Sequence, residues 1–112
     1  MGVSNEPPDL LPGTLDLLIL KSLVAGPLHG YGIVSRLKLL SDDVLQVGES
    51  SLYTALQRLL VNGFVKAAWG TSENNRRARY YTLTPSGRKH LTAEQRSLGG
   101  LMFAIQRVLD TP

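Results

Sequence analysis

The chain has 112 residues, 43% of them hydrophobic and 19% charged, and a formal net charge of +3. A chain of this length holds one domain with a modest core, and the composition excludes both wholesale disorder and a fibrous repeat. The absence of cysteine excludes a disulfide framework, a thiolate metal site and a cysteine nucleophile.

Residues 1–12 have neither a basic start nor an unbroken apolar run. With Pro7, Pro8 and Pro12 they are expected to form a flexible leader rather than an export signal. The most apolar segment, 10–24, is interrupted by Pro12, Asp16 and Lys21, which makes it too short and too polar to span a bilayer. No membrane association is expected, and the cytoplasm is the expected location. Thr14 is a suitable N-cap, with Asp16 in the first turn of a helix that Leu15, Leu17, Leu18, Ile19, Leu20, Leu23 and Val24 make apolar nearly all round. Such a helix is buried, against the domain or against a second chain. Gly26-Pro27 is expected to end it.

A second helix is expected from about His29 to Leu40, with Tyr31, Ile33, Val34, Leu37 and Leu40 toward the core. His29 has no second ligand at metal spacing, so a capping or packing role is expected of it, and His90 is equally isolated. Ser41-Asp42-Asp43 reads as a turn and residues 44–47 as a short extended piece leading into a third helix. There Leu52, Ala55, Leu56, Leu59 and Leu60 recur at helical spacing and make one apolar stripe. Ser50, Thr54 and Gln57 point the opposite way, and small hydroxyls and an amide suit a helix that enters a DNA major groove and bonds to base edges. Asn62-Gly63 closes it. Helix, turn and helix make a helix-turn-helix unit.

Beyond Gly63 the period becomes two, with Val65, Ala67 and Trp69 in one strand and Tyr81 and Leu83 in another. The loop between them, residues 70–78, holds turn formers and adjacent arginines, and such a wing suits a phosphate backbone or a minor groove. Residues 66–89 carry six basic side chains against the single acid Glu73, a local +5 that favours a polyanionic partner. Thr84-Pro85 is a cap followed by proline at the first helical position. The helix it opens has Leu91, Leu98, Leu101, Met102, Ile105, Val108 and Leu109 at helical spacing, more apolar face than a small domain can cover, so a partner subunit is its expected cover. Gly99-Gly100 is expected to kink or break it.

In these elements the sequence resembles the PadR family of bacterial transcriptional regulators. The resemblance rests on Gly13-Thr14-Leu15, on residues 26–33 (GPLHGYGI), and on Ser51-Leu52-Tyr53 with Ala55-Leu56 and Arg58-Leu59. It continues through Gly63, Trp69, Arg79-Tyr80-Tyr81, Leu83-Thr84 and Gly87, and it covers about residues 11–91. It implies a mainly α fold with a small β-hairpin: a winged helix-turn-helix over residues 13–84 and a C-terminal dimerisation helix over 85–112. It also implies a homodimeric transcription factor, usually a repressor, on double-stranded DNA. Carried over residue by residue, Ser50, Ser51, Tyr53, Thr54, Gln57 and Arg58 would be contacts of the recognition helix, and Arg76, Arg77 and Arg79 contacts of the wing. Leu98, Leu101, Met102, Ile105, Val108 and Leu109 would form the dimer seam. Leu98 stands where the family commonly has tryptophan, and Gly99-Gly100 where it has a helix-favouring polar pair. Some relatives bind a small-molecule effector through aromatic residues at the dimer interface; Phe103 is the only aromatic in this terminal helix.

The leading expectation is a sequence-specific regulator that binds a pseudo-palindrome as a two-fold dimer. The alternative is a winged-helix module that binds an acidic protein without specific DNA binding. An enzyme is the weakest reading, since no cysteine, paired His and carboxylate, or phosphate-binding glycine loop after a strand is present. No cofactor and no metal are expected.

Overall fold

The structure, a computed structural model, describes residues 13–112; the expected leader, 1–12, lies outside the described residues. Gly13, with φ of 86°, makes the turn into α1 (Thr14–Ser22), and its carbonyl accepts the first helical bond from the Leu17 N–H. Thr14 is therefore the first helical residue and not the cap expected of it, because a left-handed entry is open to glycine at little cost. α1 ends at Ser22, earlier than expected, and tight turns carry the chain on to Gly26.

Two residues, Leu28–His29, form β1, and α2 follows directly as Gly30–Leu40. His29 caps α2, its Nδ1 accepting from the Gly32 N–H at 3.0 Å, so the capping role expected of it is found. Ile33 and Leu37 bury one line of α2, but Tyr31 is 79% exposed and Leu40 63% exposed, against expectation. Two residues turn a helix by about 200°, which sets Tyr31 opposite Ile33. Leu40 is the final residue of the helix, where the chain turns away. That turn puts Asp42 and Asp43 at φ of 51° and 65°. The segment expected to be extended, 44–47, pairs with no strand.

α3 (Glu49–Val61) buries Leu52, Ala55, Leu56 and Leu59 of the stripe read from the sequence, while its fifth member, Leu60, is half-buried. It closes at Asn62, and Gly63 at φ of 74° lets the Phe64 N–H reach back 2.9 Å to the Leu59 carbonyl. β2 (Val65–Thr71) and β3 (Arg77–Leu83) then pair antiparallel, with Val65 opposite Leu83, Ala67 opposite Tyr81 and Trp69 opposite Arg79. The ladder runs further than expected: Gly70, Thr71, Arg77 and Ala78 belong to the strands, and the turn is left with residues 72–76. β1 adds a third strand, giving the order β1-β3-β2.

Thr84 caps α4 (Pro85–Leu109), accepting from the Gly87 N–H at 3.0 Å. The helix runs on through Gly99-Gly100, where a kink or a break is expected, without a break. Glycine lowers helix propensity but keeps its N–H, so the hydrogen-bond ladder continues at a cost of about 1 kcal/mol per residue. At 1.5 Å per residue its 25 residues extend about 37 Å. The core joins Ile19 and Leu20 of α1 and Leu23 just after it to Ile33 and Leu37, the buried α3 leucines and Ala55, Val65, Tyr81 and Leu91. No residue of α4 beyond Leu91 is buried.

A Cβ at Gly87 would lie 2.0 Å from the Phe64 carbonyl oxygen and 2.8 Å from its carbon. Since the obstacle is backbone, Gly87→Ala should cost stability near the top of the ~1–3 kcal/mol seen for overpacking. Gly99→Ala, whose methyl would meet nothing within 4 Å, should gain about 1 kcal/mol. Urea denaturation measures both, and a Gly87→Ala variant of native stability would contradict this account of the joint.

Candidate nucleic-acid interface

With its apolar stripe turned inward, α3 has no choice about what it shows outside. Ser50, Ser51, Tyr53, Thr54, Gln57 and Arg58 are all exposed. Ser50, Thr54, Gln57 and Val61 fall at i, i+4, i+7 and i+11, one line along the outer face. The Thr54 hydroxyl donates to the Ser50 carbonyl at 2.9 Å, so its methyl is left to contact a ligand. Among the described residues the Gln57 amide has no hydrogen-bond partner. Arg58 differs from its neighbours: its Nη2 and Nε donate to the two carboxylate oxygens of Asp16, in α1, at 2.7 and 3.2 Å.

The wing follows from the period of its strands. Trp69 on β2 and Arg77, Arg79 and Tyr81 on β3 share one face of the sheet, because residues two apart point the same way. The Arg77 guanidinium lies over the Trp69 ring, 4.6 Å from its centroid, and that of Arg79 lies 5.8 Å from the Tyr81 centroid. Stacking of this kind is worth ~0.5–1 kcal/mol at an exposed site, and it orients the cations while their N–H edges remain available. Arg76 is exposed where the turn meets β3. At the tip, Glu73 lies 3.8 Å from the Nε2 of His29, whose ring also packs 5.3 Å from Tyr80.

A cleft between wing and helices is lined by Tyr31, Tyr53, Trp69, Arg77 and Arg79, among others. Tyr53 also borders the shallow depression formed by Thr54, Gln57, Arg58, Val61 and Asn62. The polar line of α3 and the arginines of the wing therefore belong to one continuous surface, with Tyr53 at the junction. A Cβ on Gly30 would come within 2.9 Å of the Tyr53 hydroxyl, which shows how closely α2 approaches α3 there. Burial pushes the Tyr81 phenol above a tyrosine's ordinary 10.0; Arg79 pulls it down and Tyr53 adds to the rise. Three contributors to this surface were not foreseen as such. The sequence pattern places Tyr31 in the core, gives Asp16 only the role of a first-turn acid, and does not single out Val61. The six residues expected in the dimer seam lie on the far half of α4, and Leu101, Met102, Ile105, Val108 and Leu109 are exposed.

Helix-turn-helix, flanking hairpin and long C-terminal helix define a winged helix-turn-helix protein. Residues 19–93 match the model of the family described as "Transcriptional regulator PadR-like family", and the chain belongs to that family. A transcriptional regulator from Clostridium thermocellum shares 30% identity and superposes with a TM-score of 0.77, over 85% of this chain and 92% of that one. Bacillus subtilis PadR, solved in complex with operator DNA, is also 30% identical, with a TM-score of 0.64 over 72% of this chain and 47% of its own. An uncharacterized protein from Lysinibacillus sphaericus is 27% identical across 75% of this chain and 77% of that protein. The family is one of transcriptional regulators, not enzymes. Among the described residues no helix is long and apolar enough to cross a membrane.

The raised Tyr81 phenol has a stability consequence. The unfolded chain gives up this proton first, so the contribution of Tyr81 is intact below pH 10.0 and is lost as the pH rises beyond it. In urea denaturation series the native protein should lose stability above pH 10.0 more steeply than Tyr81→Phe. Equal slopes would remove burial as the cause.

Proposed function

We propose that the protein binds double-stranded DNA as a homodimer and represses transcription at a pseudo-palindromic operator. α3 lies in the major groove and the wing, with Arg76, Arg77 and Arg79, on the flanking backbone. The observation that carries this reading is the continuous surface on which an uncharged polar helix face adjoins Arg77 and Arg79 of the wing. Ser50, Ser51, Tyr53, Thr54 and Gln57 face the bases or the adjoining backbone; the arginines neutralise phosphate. In this reading residues 13–84 bind DNA and 85–112 dimerise, and the protein works in the cytoplasm, where a bacterial operator is found.

Support for the dimer comes from α4. Leu98, Leu101, Met102, Ile105, Val108 and Leu109 recur at three- and four-residue steps, the spacing of a helix-packing seam, and the last five are 48–72% exposed. Apolar exposure concentrated on one helix face marks a protein contact. A two-fold dimer presents two copies of α3, suited to half-sites about one helical turn, or ~10 bp, apart. The solved complex of Bacillus subtilis PadR with operator DNA supports DNA as the partner.

Two experiments test this reading. In fluorescence anisotropy with DNA from upstream of the gene's own operon, Arg76→Ala with Arg77→Ala should weaken binding to all sequences alike. It should also reduce the salt slope by about 2, whereas Gln57→Ala should change sequence preference. Binding to an acidic protein with no DNA preference would favour the interaction-module reading instead. In sedimentation, Ile105→Glu should convert the dimer to a folded monomer with weakened operator binding; a native protein already monomeric at micromolar concentration would refute the seam.

A further inference from the structure

Guanine is commonly read in the major groove by an arginine or lysine forked onto its O6 and N7. α3 carries one such side chain, Arg58, and no lysine. Two of the five N–H donors of Arg58 are already engaged. Its Nη2 and Nε both point to the Asp16 carboxylate, at 2.7 and 3.2 Å, the bidentate geometry that matches guanidinium to carboxylate. Asp16 is the less exposed partner, so the arginine is drawn toward α1 and the body of the domain. The hydrogen bond and the charge of Asp16 both raise the Arg58 pKa.

What remains along the outer line is the Ser50 hydroxyl, an amide and methyl groups. Gln57 has the geometry for a bidentate pair with adenine N6 and N7. The Thr54 hydroxyl is turned to the Ser50 carbonyl, and Val61, 77% exposed in the last turn, adds two further methyls. Methyls of this kind pack on the C5-methyl of thymine, while the serines bond to either base pair and discriminate little.

Building on the DNA-binding reading above, we propose that α3 reads adenine and thymine methyls and not guanine, and that Asp16 sets this preference by holding the Arg58 fork off the base edges. Asp16 is thus a specificity-determining residue that itself touches no base.

The test is selection from a randomised duplex library with the full-length chain, followed by anisotropy on the selected site at fixed salt. Base pairs whose preference shifts in Gln57→Ala mark the α3 contacts, and these should be A·T. Replacing the marked thymine by uracil, or the marked adenine by 7-deazaadenine, should weaken native binding by about tenfold, the order expected for one base contact. Arg58→Ala should retain the A·T preference. Asp16→Asn, which keeps the side-chain shape and removes the charge, should shift selection toward G·C, and adding Arg58→Ala should restore A·T. A selected guanine facing α3 whose recognition disappears in Arg58→Ala would overturn this inference and leave the regulator reading standing. Failure of the native chain to select any sequence would overturn both.

Discussion

Three elements meet at Thr84, and the placement of everything that touches DNA in the proposed complex depends on that meeting. The Thr84 hydroxyl donates to the Gly63 carbonyl at 2.7 Å and accepts from the Gly87 N–H, while its own N–H bonds to the Phe64 carbonyl at 3.1 Å. One residue thereby ties the close of α3 and the root of the wing to the first turn of α4. Gly87 lets the helix approach where no side chain fits, and the Phe64 ring stacks on His90 one turn further on, with centroids 4.1 Å apart. The core under this joint is small, so fixed backbone bonds of this kind carry much of the geometry.

The second organising feature is the division of labour among charged groups. Arg77 and Arg79 lean on aromatic rings that hold their direction without neutralising them. Arg58 meets a carboxylate and is neutralised. Cations of one type thus serve two purposes, according to whether a ring or an acid lies beneath them. A stacked arginine still has its full charge for phosphate; a forked one has become part of the scaffold. His29 makes a similar link between regions, with one ring nitrogen on the α2 cap and the other near the wing-tip acid.

Much of this was legible in the amino-acid sequence, and the legible parts share a property. The α3 stripe, the close at Asn62-Gly63, the alternation of the wing and the cap at Thr84-Pro85 are all local: each depends on residues within a turn or two of one another. The misses have other causes. β1 is two residues long and cannot display a period. Tyr31 fell on the wrong side because a large aromatic in an apolar helix invites a core assignment, while helical phase, fixed by Ile33 and Leu37, turns it outward. Thr14 lost its capping role to a glycine whose backbone angle no composition reveals. The Asp16–Arg58 pair joins residues 42 apart, and only the packing of α1 against α3 brings them together. At Gly99-Gly100 helix propensity measures a cost and does not determine an outcome.

An unbroken α4 fixed to the wing root by a joint without slack behaves as a lever. A tilt of about 5° along a ~37 Å arm displaces its far end by about 3 Å, and the same tilt, read backwards, is delivered to the hairpin. The glycine pair lies just past mid-length, where bending stiffness is lowest, so the arm has a stiff inner half and a more compliant outer half. Whatever grips the outer half sets the heading of the wing, and the compliance of two glycines limits how much torque reaches it.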